Sequence, residues 1–246
     1  MRATPPPLPG QTVSQQEVNV YSLGGAWGTA SASPFCLKLL TWLRMSDVPH
    51  RVTYLKGPPK SSTGKAPYID RPDGSYLEDS SFIIETLTRE HGVELDAHLS
   101  DAQRATAHML QRTLENSLYF VMIWQRWIEN WEVTREAFFG HLPPVVGTVV
   151  PALLRRRVAK QTHQQGIGRL PKKEIFDIGC ADVGAVASVL GDNDWFFGEP
   201  STTDAMVHSF FSGILAAPID DRLKEAVQSH DNLVAHSQRI DDLYWT

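Results

Sequence analysis

Cysteine is nearly absent: Cys36 and Cys180 are the only two in 246 residues. Two thiols so far apart in sequence form neither a secreted disulfide framework nor a CxxC or zinc-ligand spacing, so a reducing, cytoplasmic setting is expected. The nine histidines show no HxxxH or His-Cys pattern, and no metal site is expected. Long apolar runs are missing as well. Residues 118–124 fall far short of the ~20 that span a bilayer, and residues 142–154 are interrupted by Pro143, Pro144 and Pro151, so no transmembrane segment is expected. A basic excess is lacking too, and the net charge of -5 argues against a nucleic-acid partner, which requires a basic face to neutralise phosphate. One stretch departs from this balance. Residues 151–173 hold Arg155, Arg156, Arg157, Lys160, Arg169, Lys172 and Lys173 with no acid, and read as a solvated helix face and loop.

What remains is ordinary globular composition, 42% hydrophobic and 21% charged, which excludes a disordered, collagenous or coiled-coil chain. At this length roughly 70–75% of the unfolded surface is buried on folding, enough for two ordinary domains without a disulfide or metal. Residues 1–16 begin MRATPPPLPG; they have no apolar core of a signal peptide and read as a disordered, Pro-rich tail.

Residues 17–92 carry strand and helix signals in alternation. Val18 and Val20 lie between polar neighbours and Gly24-Gly25 follows, which predicts a strand. Ser33-Pro34 is a helix start, with serine as N-cap and proline in the first turn. Phe35, Cys36, Leu39, Leu40 and Leu43 continue at helical spacing, and residues 50–55 form a second strand. Pro72-Asp73-Gly74 supplies the turn of a hairpin between residues 66–70 and 75–78. From Ser80 helical spacing returns through Phe82, Ile83, Ile84 and Leu87, and Gly92 stops it. The order βαβ, link, β-hairpin, α predicts a small mixed sheet of thioredoxin-like plan. Residues 100–246 show no strand signal. Leu110, Leu114, Leu118 and Met122 recur every fourth residue, and Trp124, Trp127, Ile128 and Trp131 extend them into one long helix, the tryptophans being assigned to the core. Further helices are marked by Phe176, Val183 and Leu190, and by Met206, Phe210 and Ile214. The fold class is therefore an α/β thioredoxin-like N-terminal domain followed by an all-α C-terminal domain.

Local sequences within this plan resemble the glutathione S-transferase superfamily. Ser33-Pro34-Phe35-Cys36-Leu37-Lys38 stands where that superfamily places its catalytic residue, Ala66-Pro67 where it places its cis-proline, and Asp79-Ser80 where it binds the γ-glutamyl end of glutathione. Gly198-Glu199-Pro200-Ser201-Thr202-Thr203-Asp204 is similar to its capping box. The stretches SPFCLKLLTWLRMSDVPH, GKAPYID, DSSFIIETL, ENSLYFVMIWQRW, QQGIGR and WFFGEPSTTDA resemble the failed-axon-connections and metaxin-like branch, over residues 18–245.

The resemblance implies a cytoplasmic, homodimeric transferase with glutathione as co-substrate. Ser33 would hold the sulfur as thiolate, because a hydroxyl donor and a positive helix end both favour that form. Ala66, before a cis Pro67, would pair through its backbone with the cysteinyl part. Asp79, Ser80 and the helix start would take the γ-glutamyl end, and Lys65 the glycyl carboxylate. Trp27, Phe35 and Tyr119 would line a pocket for a hydrophobic small-molecule electrophile. Ser201 and Asp204 would form a structural capping box. Without its first cysteine, the motif ending at Cys36 excludes an internal dithiol cycle. The alternative is a non-catalytic, metaxin-like interaction module that uses the basic segment to meet a partner or membrane surface.

Overall fold

The computed structural model describes residues 16–143 and 146–246. Of the expected Pro-rich tail only Gln16 is among them, and Pro144 also lies outside the described residues.

Strand β1 (Val18–Ser22) buries Val18, Val20 and Ser22 on alternate positions, the two-residue period of a strand with one covered face. It is followed by helix α1 (Pro34–Met45) and strand β2 (His50–Tyr54). β2 lies parallel to β1, with Val18 opposite His50 and Ser22 opposite Tyr54, a pairing that requires a crossover element, here α1. Strands β3 (Tyr68–Asp70) and β4 (Tyr76–Glu78) form the expected hairpin, and the sheet order is β2-β1-β3-β4. Its turn is closed by the Arg71 N–H donating to the Ser75 carbonyl at 2.9 Å. The Asp73 side chain accepts from the Ser75 N–H at 2.9 Å. Helix α2 (Ser80–His91) ends at Gly92, whose φ of 64° is the left-handed geometry glycine adopts freely.

All later elements are helical: α3 (Asp101–Thr113), α4 (Tyr119–Trp124), α5 (Trp131–Phe139), α6 (Val146–Gln165), α7 (Lys172–Leu190), α8 (Thr202–Ala216), α9 (Arg222–Gln228) and α10 (Asp231–Tyr244). One buried cluster gathers Val20, Leu39, Leu43, Ile69 and Ile83 on the sheet side. The other gathers Leu114, Val121, Phe176, Val183 and Phe210 among the helices. Helix α8 belongs to both, since Ala205 sits in the first and Phe210 in the second. No helix of the described residues is long and apolar enough to cross a membrane.

The single long helix expected over residues 110–131 is not what forms. π-helical turns interrupt it at Leu114–Leu118 and Gln125–Glu129, and it breaks at Asn130. The cause lies in the period itself. Steps of four residues outrun the 3.6 of an α-turn and would carry Met122 about 120° around the axis from Leu110. The wider i→i+5 turns absorb that drift, and Leu110, Leu114, Leu118 and Met122 are all at most 5% exposed. At the second turn the Asn130 N–H donates to the Gln125 carbonyl at 2.9 Å, five residues back.

Candidate active site

Two helix starts and one loop converge where the sheet unit meets the helices. Ser33 caps α1: its backbone is extended, Pro34 opens the helix, and its Oγ accepts from the Cys36 N–H at 3.4 Å, a long bond. The loop before it is organised by Ser31, which is buried, donates to the Leu23 carbonyl at 2.9 Å and accepts from the Ser33 N–H at 3.3 Å. Cys36 lies against the same serines. Burial pushes its thiol pKa up, outweighing hydrogen bonds from the Leu23 backbone and from Ser22, Ser33 and Ser31. A thiol so buried is a packing group rather than a nucleophile.

The Ala66–Pro67 peptide is cis. Pro67 is buried and Ala66 partly exposed, and the loop before them is held by reciprocal bonds between Ser61 and Lys65. The Ser61 hydroxyl donates to the Lys65 carbonyl at 2.5 Å and accepts the Lys65 N–H at 2.9 Å. The Lys65 side chain is exposed, as are Lys56 and Lys60. The link is anchored to β4 by the Ser62 and Thr63 N–H groups, both donating to the Glu78 carboxylate.

Asp79 caps α2, accepting from the Ser81 N–H at 2.8 Å, and does so with a φ of 70°, which a side-chain-bearing residue rarely adopts. Such backbone outliers cluster at functional sites. The next residue, Ser80, is 2% exposed and its hydroxyl has no hydrogen-bond partner. A buried, unpaired hydroxyl is costly unless a ligand satisfies it. The starts of α1 and α2 are tied by Lys38, whose Nζ donates to Ser81 Oγ at 3.0 Å and pairs with Glu115 at 2.7 Å. Gln111 also donates to Ser81, at 2.7 Å. No local sequence signal marks this cluster, because a lysine in an amphipathic helix ordinarily faces solvent.

Trp27, Phe35 and Tyr119 each reach the junction, though as two ring groups. Phe35 meets Tyr119 edge-on at 5.0 Å and Phe210 at 6.1 Å. Trp27 stacks obliquely on Phe138 at 5.5 Å. Between these groups stands Arg126, whose guanidinium carbon lies 5.1 Å from the centre of the Trp27 ring. Burial pushes the Tyr119 hydroxyl pKa up, and the positive Arg126 offsets this only in part. The core assignment holds for Trp124, which is 9% exposed, but not for Trp127 and Trp131. Those two are half-buried and extend the rings of Trp27 and Phe138, Trp127 lying 6.0 Å from Phe138 and 5.9 Å from Trp131. The helix breaks between them at Asn130, whose φ of -110° and ψ of 47° are not helical.

The Trp27 turn is held by the Thr29 N–H donating to the Ala26 carbonyl at 3.0 Å, with Trp27 itself at φ 51°. A Cβ on Gly25 would stand 2.2 Å from the Thr29 carbonyl oxygen, so this approach needs glycine. Gly25→Ala is expected to cost about 1–3 kcal/mol, read as a melting temperature lower by about 2–4 °C per kcal/mol. An unchanged melting temperature would show that the loop yields freely and does not hold Trp27.

The basic segment is only partly a solvated face. Arg155 is half-buried, donates to the Trp127 and Ile128 carbonyls at 3.1 and 3.2 Å, and stacks on Trp131 at 5.1 Å. It thus ties α6 to the second π turn. A cavity of about 600 Å³ beside it is lined by Trp131, Pro151 and Arg156 among others, and by none of Ser33, Ala66 or Ser80. No cluster of three or more metal-binding side chains occurs among the described residues.

A thioredoxin-like sheet unit joined to a helical bundle, with a capped α1, a cis-proline loop and a capped α2 at the junction, is the architecture of glutathione transferases. The chain belongs to the glutathione S-transferase family: residues 34–132 match its N-terminal domain and residues 179–240 its C-terminal domain. It is 30% identical to the isoprene-epoxide--glutathione S-transferase of Rhodococcus sp. (strain AD45) over 242 residues, 92% of this chain and 99% of that protein. It is 26% identical to Failed axon connections of Drosophila melanogaster and to human metaxin-1, over 86% and 97% of this chain. It spans only about half the length of those two, 54% of each. Solved structures share the fold. A Ceriporiopsis subvermispora glutathione S-transferase in complex with glutathione superposes with a TM-score of 0.64 at 16% identity, covering 93% of this chain and 98% of that one. The Phanerochaete chrysosporium transferase GSTFuA3 gives 0.63 at 14% identity, covering 94% and 98%.

Proposed function

We propose that the chain is a glutathione transferase that binds glutathione along the cis-Pro67 loop and the start of α2. In this reading it presents the sulfur as thiolate near Ser33 to a hydrophobic electrophile at the junction of sheet and helices. The Ala66 backbone pairs with the cysteinyl part like an added strand. The γ-glutamyl carboxylate accepts from Ser80 and the first N–H groups of α2, with Asp79 beside it, and the exposed Lys65 meets the glycyl carboxylate. Trp27, Phe35 and Tyr119 give the electrophile an aromatic wall. Conjugation, isomerisation, dehalogenation and ether cleavage all start from such a thiolate. The near full-length similarity to an isoprene-epoxide transferase makes a small hydrophobic epoxide the first electrophile to assay. A homodimer in a reducing cytoplasm belongs to the same reading.

The observation that carries this reading is the buried hydroxyl of Ser80, unpaired at a helix start. Calorimetric titration with glutathione is expected to show saturable binding. Ser80→Ala is expected to weaken it about tenfold, the value of one hydrogen bond to a charged group, with the melting temperature nearly unchanged. Equal affinity with a lower melting temperature would reduce Ser80 to a packing residue.

A second reading, a non-catalytic interaction module, has one observation in its favour. Val146, Val149, Val150 and Leu153 are exposed at helical spacing on α6, and the exposed Arg156, Arg157 and Lys160 follow them. No heat of binding with glutathione up to millimolar concentration would select it.

A further inference from the structure

Arg126 is 4% exposed and stands in the second π turn, Gln125–Glu129. Its Nη1 donates to the Ala32 carbonyl at 3.2 Å and its Nη2 to the Gly213 carbonyl at 2.8 Å, so one side chain joins the loop entering Ser33 to α8. A Cβ on Gly213 would stand only 3.2 Å from Nη2, so glycine there lets the guanidinium close on the backbone. Nε has no partner, and no ion pair among the described residues includes this guanidinium. A clamp between two carbonyls requires only a neutral amide. A buried cation with no counter-ion costs several kcal/mol, and burial pushes this guanidinium down to about 10, with Tyr119 opposing. The arrangement calls for an anion in its neighbourhood, and the residue adjoining its Ala32 contact is Ser33.

We infer that Arg126 is a positioning residue whose fixed positive charge favours ionisation of the glutathione thiol beside Ser33. The inference rests on the proposed transferase function. In the step, the S–H bond breaks, its electron pair stays on sulfur and the proton leaves to water. The guanidinium stabilises the product by its field across a poorly screened interior. The π turn directs the side chain inward, and the Trp27 face stabilises the cation while it waits.

The test is the thiol pKa of bound glutathione, followed by thiolate ultraviolet absorbance across pH. Arg126→Gln is expected to raise it by one unit or more, while Arg126→Lys, which keeps the charge, is expected to restore most of the shift. A folded Arg126→Gln protein that binds glutathione with the wild-type thiol pKa overturns the inference and leaves the function standing. Because Arg126→Gln removes bonds to two segments, Ser33→Ala supplies an arm with the cation untouched. There the thiol pKa is expected to stay below that of free glutathione, and its return to the free value overturns the inference as well. Wild-type protein that binds no glutathione overturns the transferase reading and the inference together.

Discussion

Asp204→Ala is expected to destabilise the protein by about 3–5 kcal/mol, measurable as a lower urea midpoint at unchanged slope. The carboxylate is fully buried, yet it is the shared acceptor for four donors. The Phe196 N–H donates at 3.1 Å, the Ser201 N–H at 2.8 Å and the Ser201 hydroxyl at 2.6 Å, while His236 Nε2 lies at 2.9 Å. Alanine would leave all of them dry and unpaired. The next residue, Ala205, lies in the sheet-side core, and Phe210 lies under Phe35. Loosening the start of α8 therefore reaches the junction of the two units. A loss below about 1 kcal/mol would mean that water replaces the carboxylate and that the box is an ordinary surface-type cap.

Ser33→Ala is expected to lower kcat/KM for glutathione transfer at neutral pH by about a hundredfold, the scale of removing one donor from a developing anion. Its structural cost is expected to stay under about 1 kcal/mol, since the cap bond to the Cys36 N–H is already long at 3.4 Å. Ser33→Cys with Cys36→Ala separates the two roles further. A cysteine at a helix start has a depressed pKa. Its thiolate should attack one sulfur of oxidised glutathione and expel the other half as glutathione thiolate, leaving a mixed disulfide visible by intact mass. The Cys36→Ala protein alone should form no adduct. Absence of an adduct on the folded double variant would put residue 33 away from the sulfur and end the Ser33 mechanism.

Much of the frame is local chemistry and so was legible in the chain alone. The Ser33-Pro34 start, the Pro72-Asp73-Gly74 turn, the Gly92 stop and the Ser201–Asp204 box each need only neighbours within a few residues. The alternation of Val18 and Val20 fixes a buried strand face in the same way. Arg126 carried a trace of its role as the lone charge in the mostly apolar run YFVMIWQRW, but sequence spacing cannot say which way a π turn rotates it. Lys38, Ser81, Gln111 and Glu115 are four unremarkable polar residues until α1, α2, α3 and the first π turn meet. The surroundings of Trp127 and Trp131 likewise depend on Arg155, more than twenty residues on, which donates to the Trp127 and Ile128 carbonyls and stacks on Trp131. The sequence by itself determined the strands, caps and turns, because backbone preferences and apolar periods act over a few residues. The tertiary structure alone decided which charges are buried and which hydroxyl is left unpaired, because desolvation depends on segments distant in the chain.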